Sequence, residues 1–147
     1  MAYKGKFKPK NRDKYKGNPT NIIYRSLWER RFMVYCDSNN SVVKWSSEEI
    51  VIPYRSPFDR KIHKYYPDIW VKIKKHDGSF ETSIIEVKPK SQTIPPKDTS
   101  RKRKSGRFLL EMKRYGVNEA KWKAATTYCK YKNWKFKIIT EEHLLAK

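Results

Sequence analysis

The chain predicts an α/β fold, a central mixed β-sheet flanked by α-helices, and three observations lead there. Apolar residues recur near a helical period in two well-separated stretches. Between those stretches, two strand-like runs flank Asp77-Gly78, a hairpin signal. One more apolar run follows the second helical stretch. The order is α, strands, α, strand, α, which suggests a sheet with helices packed on it. At 147 residues the expectation is one compact domain.

The elements are expected in the following order. Ser26-Leu27-Trp28-Glu29 opens a helix to about Asp37, with Leu27, Trp28, Phe32, Tyr35 and Cys36 on its apolar stripe, and Asn39-Asn40 ends it. Val42 to Trp45 and Glu49 to Tyr54 read as short strands. His63 to Lys75 reads as one long strand, with Ile69, Val71 and Ile73 on one face and Asp68 and Trp70 on the other. After the turn, Phe80 to Lys88 returns, with Ile85 and Val87 on one face and Ile84, Glu86 and Lys88 on the opposite one. Phe108 to Tyr115 reads as a short helix closed by Gly116. Asn118 caps a longer helix to about Lys132, striped by Trp122, Ala125 and Cys129. Trp134 to Ile139 is a final strand, and Thr140-Glu141-Glu142 starts a terminal helix. No internal repeat is visible.

Charge is the dominant compositional fact. Lysine and arginine number 35 against 15 aspartates and glutamates, a formal net charge of +20. That balance points to phosphate backbones as partners, with strong salt dependence. The excess is concentrated: residues 1–16 carry net +6 and residues 88–107 net +7. Residues 1–20 are therefore expected to form a basic arm. Residues 21–147 form the single domain, with a flexible basic loop at about 90–107 around Ile94-Pro95-Pro96 and Arg101-Lys102-Arg103-Lys104-Ser105-Gly106. A solvated tail and loop would show the same charge runs. Aromatic content of 14% argues against a wholly disordered chain. No apolar run is long enough to span a membrane, and the N-terminus lacks a hydrophobic signal core, so no membrane association is expected. Cys36 and Cys129, far apart and each in a helix, read as free buried thiols in a reducing compartment.

The chemistry is concentrated in Tyr66-Pro67-Asp68 and Ile84-Ile85-Glu86-Val87-Lys88. If the two strands pair through the Asp77-Gly78 turn, Asp68 and Glu86 lie nearly opposite. Side-by-side carboxylates repel, and a bound cation removes the repulsion. Magnesium prefers oxygen ligands and is usually held by one or two carboxylates, with water and phosphate completing its shell. Asp68 and Glu86 are thus candidate ligands, and the Val87 backbone carbonyl is a further one. Lys88, about 7 Å from Glu86 on the same face, could act on a water or a phosphate. The bland alternative is an exposed strand on which Glu and Lys alternate. Glu29 fits a capping box with Ser26, and from spacing alone that reading competes with a catalytic one. His63 reads as a strand or core histidine rather than a general base. Lys121 reads as a solvated lysine or a contact to phosphate.

These residues resemble the PD-(D/E)xK nuclease superfamily, Pro67-Asp68 matching its first acidic motif and Glu86-Val87-Lys88 its E-x-K. Further stretches, Tyr24-Arg25-Ser26-Leu27-Trp28-Glu29-Arg30-Arg31-Phe32, Trp45-Ser46-Ser47-Glu48-Glu49, Ile52-Pro53-Tyr54, His63-Lys64-Tyr65-Tyr66-Pro67-Asp68, Glu86-Val87-Lys88-Pro89-Lys90, Lys121-Trp122 and Trp134 to Thr140, resemble the head-completion nucleases of T-even-like tailed phages. The same order is similar to TnsA-type transposon endonucleases. The resemblance covers roughly residues 1–145. It implies a restriction-endonuclease-like core, dependence on magnesium or manganese, and cleavage of double-stranded DNA. It makes Glu29 an active-site acid beside Asp68, Glu86 and Lys88. It implies phage head or portal-neck proteins as partners and the host cytoplasm during assembly as the location, with retention in the virion left open. Lys90, Gln92, Lys121 and Arg101, Lys102, Arg103 and Lys104 are the weaker expected DNA contacts. Two other readings stay open: a non-catalytic DNA-binding virion or neck protein, and a subunit active only with a partner protein.

Overall fold

A computed structural model describes residues 4–97 and 106–145. Its centre is a four-stranded sheet in the order β3 (Val42–Ser47), β6 (Ile69–Lys74), β7 (Phe80–Val87), β8 (Lys135–Ile139). The first three strands pair antiparallel and β8 joins β7 in parallel, so the sheet is mixed as expected. The parallel pair needs a long crossover. Helix α2 (Gly106–Lys132) supplies part of it. Two small antiparallel pairs flank the sheet: β1 (Gly5–Phe7) with β2 (Ile22–Tyr24), and β4 (Ile52–Arg55) with β5 (Ile62–Tyr65). Helices α1 (Leu27–Ser38) and α3 (Glu141–Leu145) complete the described elements.

Alternation along the strands divides the core into two layers. On one face Trp45, Ile69, Val71, Ile85 and Val87 pack with Met33 and Cys36 of α1 and with Phe7, Tyr15 and Ile22. On the other, Trp70 and Ile84 pack with Ala125 and Cys129 of α2 and with Ile52, Tyr54 and Tyr65 of the β4–β5 pair. Both cysteines are free and buried.

Three expectations change. The segment before residue 20 does not hang free over residues 4–20. Its aromatic side chains anchor it: Phe7 and Tyr15 meet the fully buried Trp45 edge-on at 5.7 and 4.8 Å. Such aromatic pairs add to the large apolar area each ring buries. Lys10 and Asn11 backbone N–H groups also donate to the Asp37 carboxylate. The basic side chains remain outside, so a charged surface segment is sewn onto the core by its few aromatics.

The long strand from His63 to Lys75 is two strands with different partners. Tyr66-Pro67-Asp68 separates them, because proline has no N–H for a ladder. β5 therefore leaves the central sheet and pairs with β4, while β6 enters the sheet only after Asp68. Finally, Gly116 does not end a helix. α2 runs through it for 27 residues, and Asn118 is buried inside the helix rather than capping one. A side chain at Gly116 would come within 3.4 Å of the Phe58 ring. That is an ordinary van der Waals contact, so α2 packs against the loop between β4 and β5 without needing the glycine.

Candidate active site

The site forms where β6 begins and β7 ends. Register places Ile69 opposite Ile85, and one further step sets Asp68 opposite Glu86. The Val87 N–H donates to Asp68 Oδ2 at 2.8 Å, fixing that carboxylate against the strand end. On the other side, the Glu48 N–H donates to the Asp68 carbonyl oxygen at 3.2 Å. Glu48 adopts a left-handed backbone, φ 53°, at the point where β3 ends. That conformation is unusual for a glutamate.

Glu86 is buried on β7. Tyr65 donates its hydroxyl to Glu86 Oε1 at 2.6 Å, and Lys88 Nζ lies 3.6 Å from Oε2. The expectation that Glu86 and Lys88 share one face is met. Val87 is buried in the opposite layer, but it also lines the site cleft.

Glu29 comes in from α1. Ser26 does cap that helix, its Oγ accepting from the Glu29 N–H at 3.1 Å. The Glu29 side chain, however, is 4% exposed and its Oε1 is buried without a hydrogen-bond partner. Arg25 pairs with Glu48, Nε to Oε1 at 3.2 Å, while its backbone N–H and its charge also favour the ionised form of Glu29. One cleft of about 720 Å³ is lined by Glu29, Asp68, Val87, Lys88, Pro89 and Gln92 with Arg25, Ser26, Leu27 and Trp28.

The electrostatics follow from burial and from like charges. Burial, and then Glu48, push the Glu29 carboxyl up to about 7. Burial, then Glu86 and Glu29, hold the Asp68 carboxyl well above the ordinary aspartate range. Lys121 is shifted down, first by burial, while Glu86 and Asp68 pull it back up. It sits 5.6 Å from the Tyr65 ring centroid and 5.8 Å from that of Tyr54. The helix face thus brings Lys121 to the acids.

The other expected residues divide. Gln92, in a short 3-10 turn (Lys90–Gln92), lines the cleft. Lys90 instead pairs with Glu142 at 2.7 Å, and its N–H donates to Glu141, tying the turn to α3. His63 pairs with Asp59 at 2.7 Å on the exposed β4–β5 pair, as a surface histidine would. Arg101, Lys102, Arg103 and Lys104 lie outside the described residues. Two residues of the site were not singled out from sequence, Glu48 and Tyr65. The positive φ of Glu48 had no sequence signal. Tyr65 had one, an aromatic next to the Tyr66-Pro67-Asp68 break.

The donor set is all oxygen, which suits a hard divalent cation. Among the described residues no three carboxylate, imidazole or thiolate groups form a ready cage by themselves.

The TnsA-like endonuclease N-terminal family matches residues 39–141. The head completion nuclease of Enterobacteria phage T4 is 41% identical over 148 residues, covering 99% of this chain and 96% of that protein. Glu29 precedes the family match, whereas Asp68, Glu86, Lys88 and Lys121 fall inside it. With the family match spanning most of the chain and the identity to a relative extending over nearly all of it, the chain belongs to the TnsA-like endonuclease family, in company with the T4 head completion nuclease.

Proposed function

We propose that this protein is a divalent-cation-dependent endodeoxyribonuclease that processes packaged DNA ends during phage head completion, before the tail joins. The observation that carries this reading is the site itself: Asp68 and Glu86 opposite each other at a strand end, Glu29 beside them, and Lys88 Nζ 3.6 Å from Glu86. A protein that only gripped DNA has no reason to bury Glu29 and Glu86 and half-bury Asp68 together, where they repel both phosphate and one another. The role in head completion rests on the likeness to the T4 protein.

Asp68, Glu86 and the Val87 carbonyl would hold magnesium or manganese. When bound, such an ion polarises the scissile phosphate and makes water a better nucleophile at neutral pH. The chain's own residues do the rest. Lys88 directs its ammonium at the attacking water or a phosphate oxygen and stabilises the added negative charge. Glu29, poised near pH 7, can hold or release a proton beside the reacting water. Gln92 and Lys121 border the substrate. The lysine and arginine excess grips the duplex by its phosphates, which position DNA without reading its sequence. The place of action is the host cytoplasm during assembly, and the protein partners are those of the head and portal neck.

The test is cleavage of linear and circular duplex DNA by the purified protein with magnesium, manganese or chelator, beside Asp68→Asn. Cutting that needs metal and disappears in the variant, with DNA binding kept, is the expected result. Tight DNA binding without cutting, in every metal and with added head proteins, would overturn it in favour of a structural role.

A further inference from the structure

Resting on that reading, we propose that Tyr65 is a positioning residue of the active site, orienting Glu86 through its hydroxyl so that this carboxylate can serve as a metal ligand. Tyr65 closes β5, the strand that leaves the central sheet at the Tyr66-Pro67 break. It is 4% exposed, and its hydroxyl donates to Glu86 Oε1 at 2.6 Å. The break is what makes this possible. Had β5 continued into β6 as a single strand, Tyr65 would have stayed in the sheet ladder instead of folding over the Glu86 face.

The bond divides the labour of the carboxylate. Oε1 is engaged by Tyr65, and Oε2 faces Lys88, which lines the cleft. A carboxylate bonded in this way keeps one rotamer, and such partners govern how well a ligand presents itself to a metal. Behind the ring stands Lys121, its Nζ 5.6 Å from the Tyr65 centroid and 5.8 Å from the Tyr54 centroid. The two tyrosines thus form a clamp on α2's lysine, with only Tyr65 bonded to the acid. Helix α2 and the β4–β5 pair share a core layer, so Tyr65 links that layer to the catalytic strand.

The experiment measures manganese binding by calorimetry, and cleavage as a function of metal concentration, for the full chain, Tyr65→Phe and Tyr54→Phe. Removing a group that orients a ligand typically costs about 10- to 100-fold in metal affinity. The expected result is that Tyr65→Phe binds manganese roughly tenfold more weakly, cuts poorly at low metal, and recovers most of its rate when metal is raised. DNA affinity in chelator stays unchanged, and Tyr54→Phe behaves as the parent. Equal metal affinity and equal metal dependence in Tyr65→Phe and parent would overturn the proposal while leaving the nuclease reading standing. So would equal losses in both variants, because that marks a loosened β4–β5 pair rather than a lost bond. A parent protein that neither binds manganese nor cuts DNA would sink both.

Discussion

Glu81 and Glu86 stand on the same strand and have opposite surroundings. Glu81, near the start of β7, lies between Lys135 and Lys137 of β8, with Lys137 Nζ 3.2 Å from Oε2. Those lysines hold its carboxyl below the usual glutamate range, the Lys135 hydrogen bond foremost. Glu86, at the other end and on the other face, is buried with Asp68 and Glu29 for company and a tyrosine on one oxygen. The chain has more than two basic residues for every acid. The crowding of acids at one end of the sheet, three against Lys88 and the more distant Lys121, is therefore set by placement, not by composition. Glu81 shows how this sheet neutralises an acid for stability. The Asp68–Glu86–Glu29 group instead gathers three acids beside Lys88, with Glu29 and Asp68 both raised by burial and by neighbouring carboxylates, an arrangement that suits a site more than a scaffold.

The contrast is broken most severely at Asp68. Asp68→Asn keeps an acceptor for the Val87 N–H and removes the charge. Cleavage should fall by at least about 10³-fold, several kcal/mol of barrier. In chelator the same variant should melt higher, by about 2–4 °C for each kcal/mol of repulsion relieved. Opposite signs in activity and stability are the mark of a functional acid. A variant that lost both together would instead make Asp68 a structural residue. Lys88→Met tests the other side of the site. It preserves the aliphatic stem, so folding should hold, while single-turnover cleavage at saturating metal falls by about 10²-fold or more.

Glu29→Gln sharpens the comparison through pH. Glu29 is raised to about 7 from an ordinary value near 4.5. The folded state then binds the proton more tightly than the unfolded state. Stability from this group is complete below about pH 4.5 and is lost as pH rises toward and through 7, up to about 3 kcal/mol for a shift of this size. Asp68, also raised, acts with the same sign. In chelator the parent should lose stability between pH 5 and 8, and Glu29→Gln should lose less. Added manganese should restore the parent at pH 8, since a ligand of the folded state stabilises it by mass action. Thermal melts across that range decide. A parent whose stability is flat from pH 5 to 8 would mean that the acids are not held charged against one another. Cleavage by Glu29→Gln should drop by about 10²-fold, in the range of a lost acid or base.

What could be read in advance follows the same division. The hairpin and the near-opposition of Asp68 and Glu86 were legible because Asp77-Gly78 sets the turn and alternation sets the faces, whereas the register itself is fixed only by the strand pairing. The helix of Glu29 was legible from Ser26, but its stripe was misplaced: Leu27 and Tyr35 are exposed, and the face that packs inward carries Glu29, Met33 and Cys36. Spacing alone left Glu29 undecided, since a capping glutamate and a buried one share a sequence position; its orphaned oxygen is a fact of packing. Gly116 misled because a glycine often closes a helix, whereas here it sits in the middle of an unbroken one held by packing on both sides of it. Tyr65 was hidden because it reaches Glu86 only after the chain breaks at Pro67 and refolds over the sheet. Phe7 and Tyr15 carried a signal that charge obscured: two aromatics in a basic stretch hold it on Trp45 without any periodicity.

Glu81→Gln carries the smallest expected effect and makes the comparison quantitative. Its carboxyl is mostly buried between two solvated lysines, so the pair contributes about 0.2–1 kcal/mol, less at high salt. Because its carboxyl is lowered, that stability is present above the unfolded glutamate range and is lost as pH falls through the folded value. Glu81→Gln should therefore match the parent in acid and become slightly less stable at pH 8. Glu29→Gln should also match it in acid and become more stable at pH 8. Two glutamate-to-glutamine changes in one small domain would then diverge from the parent over neighbouring pH ranges and in opposite directions. Cleavage by Glu81→Gln should stay within about twofold of the parent, since surface changes away from the site rarely exceed 0.5 kcal/mol. If it lost activity as Glu29→Gln does, the acids of this sheet would be acting through general charge, and the separation between a neutralised end and a cation-seeking end would fail.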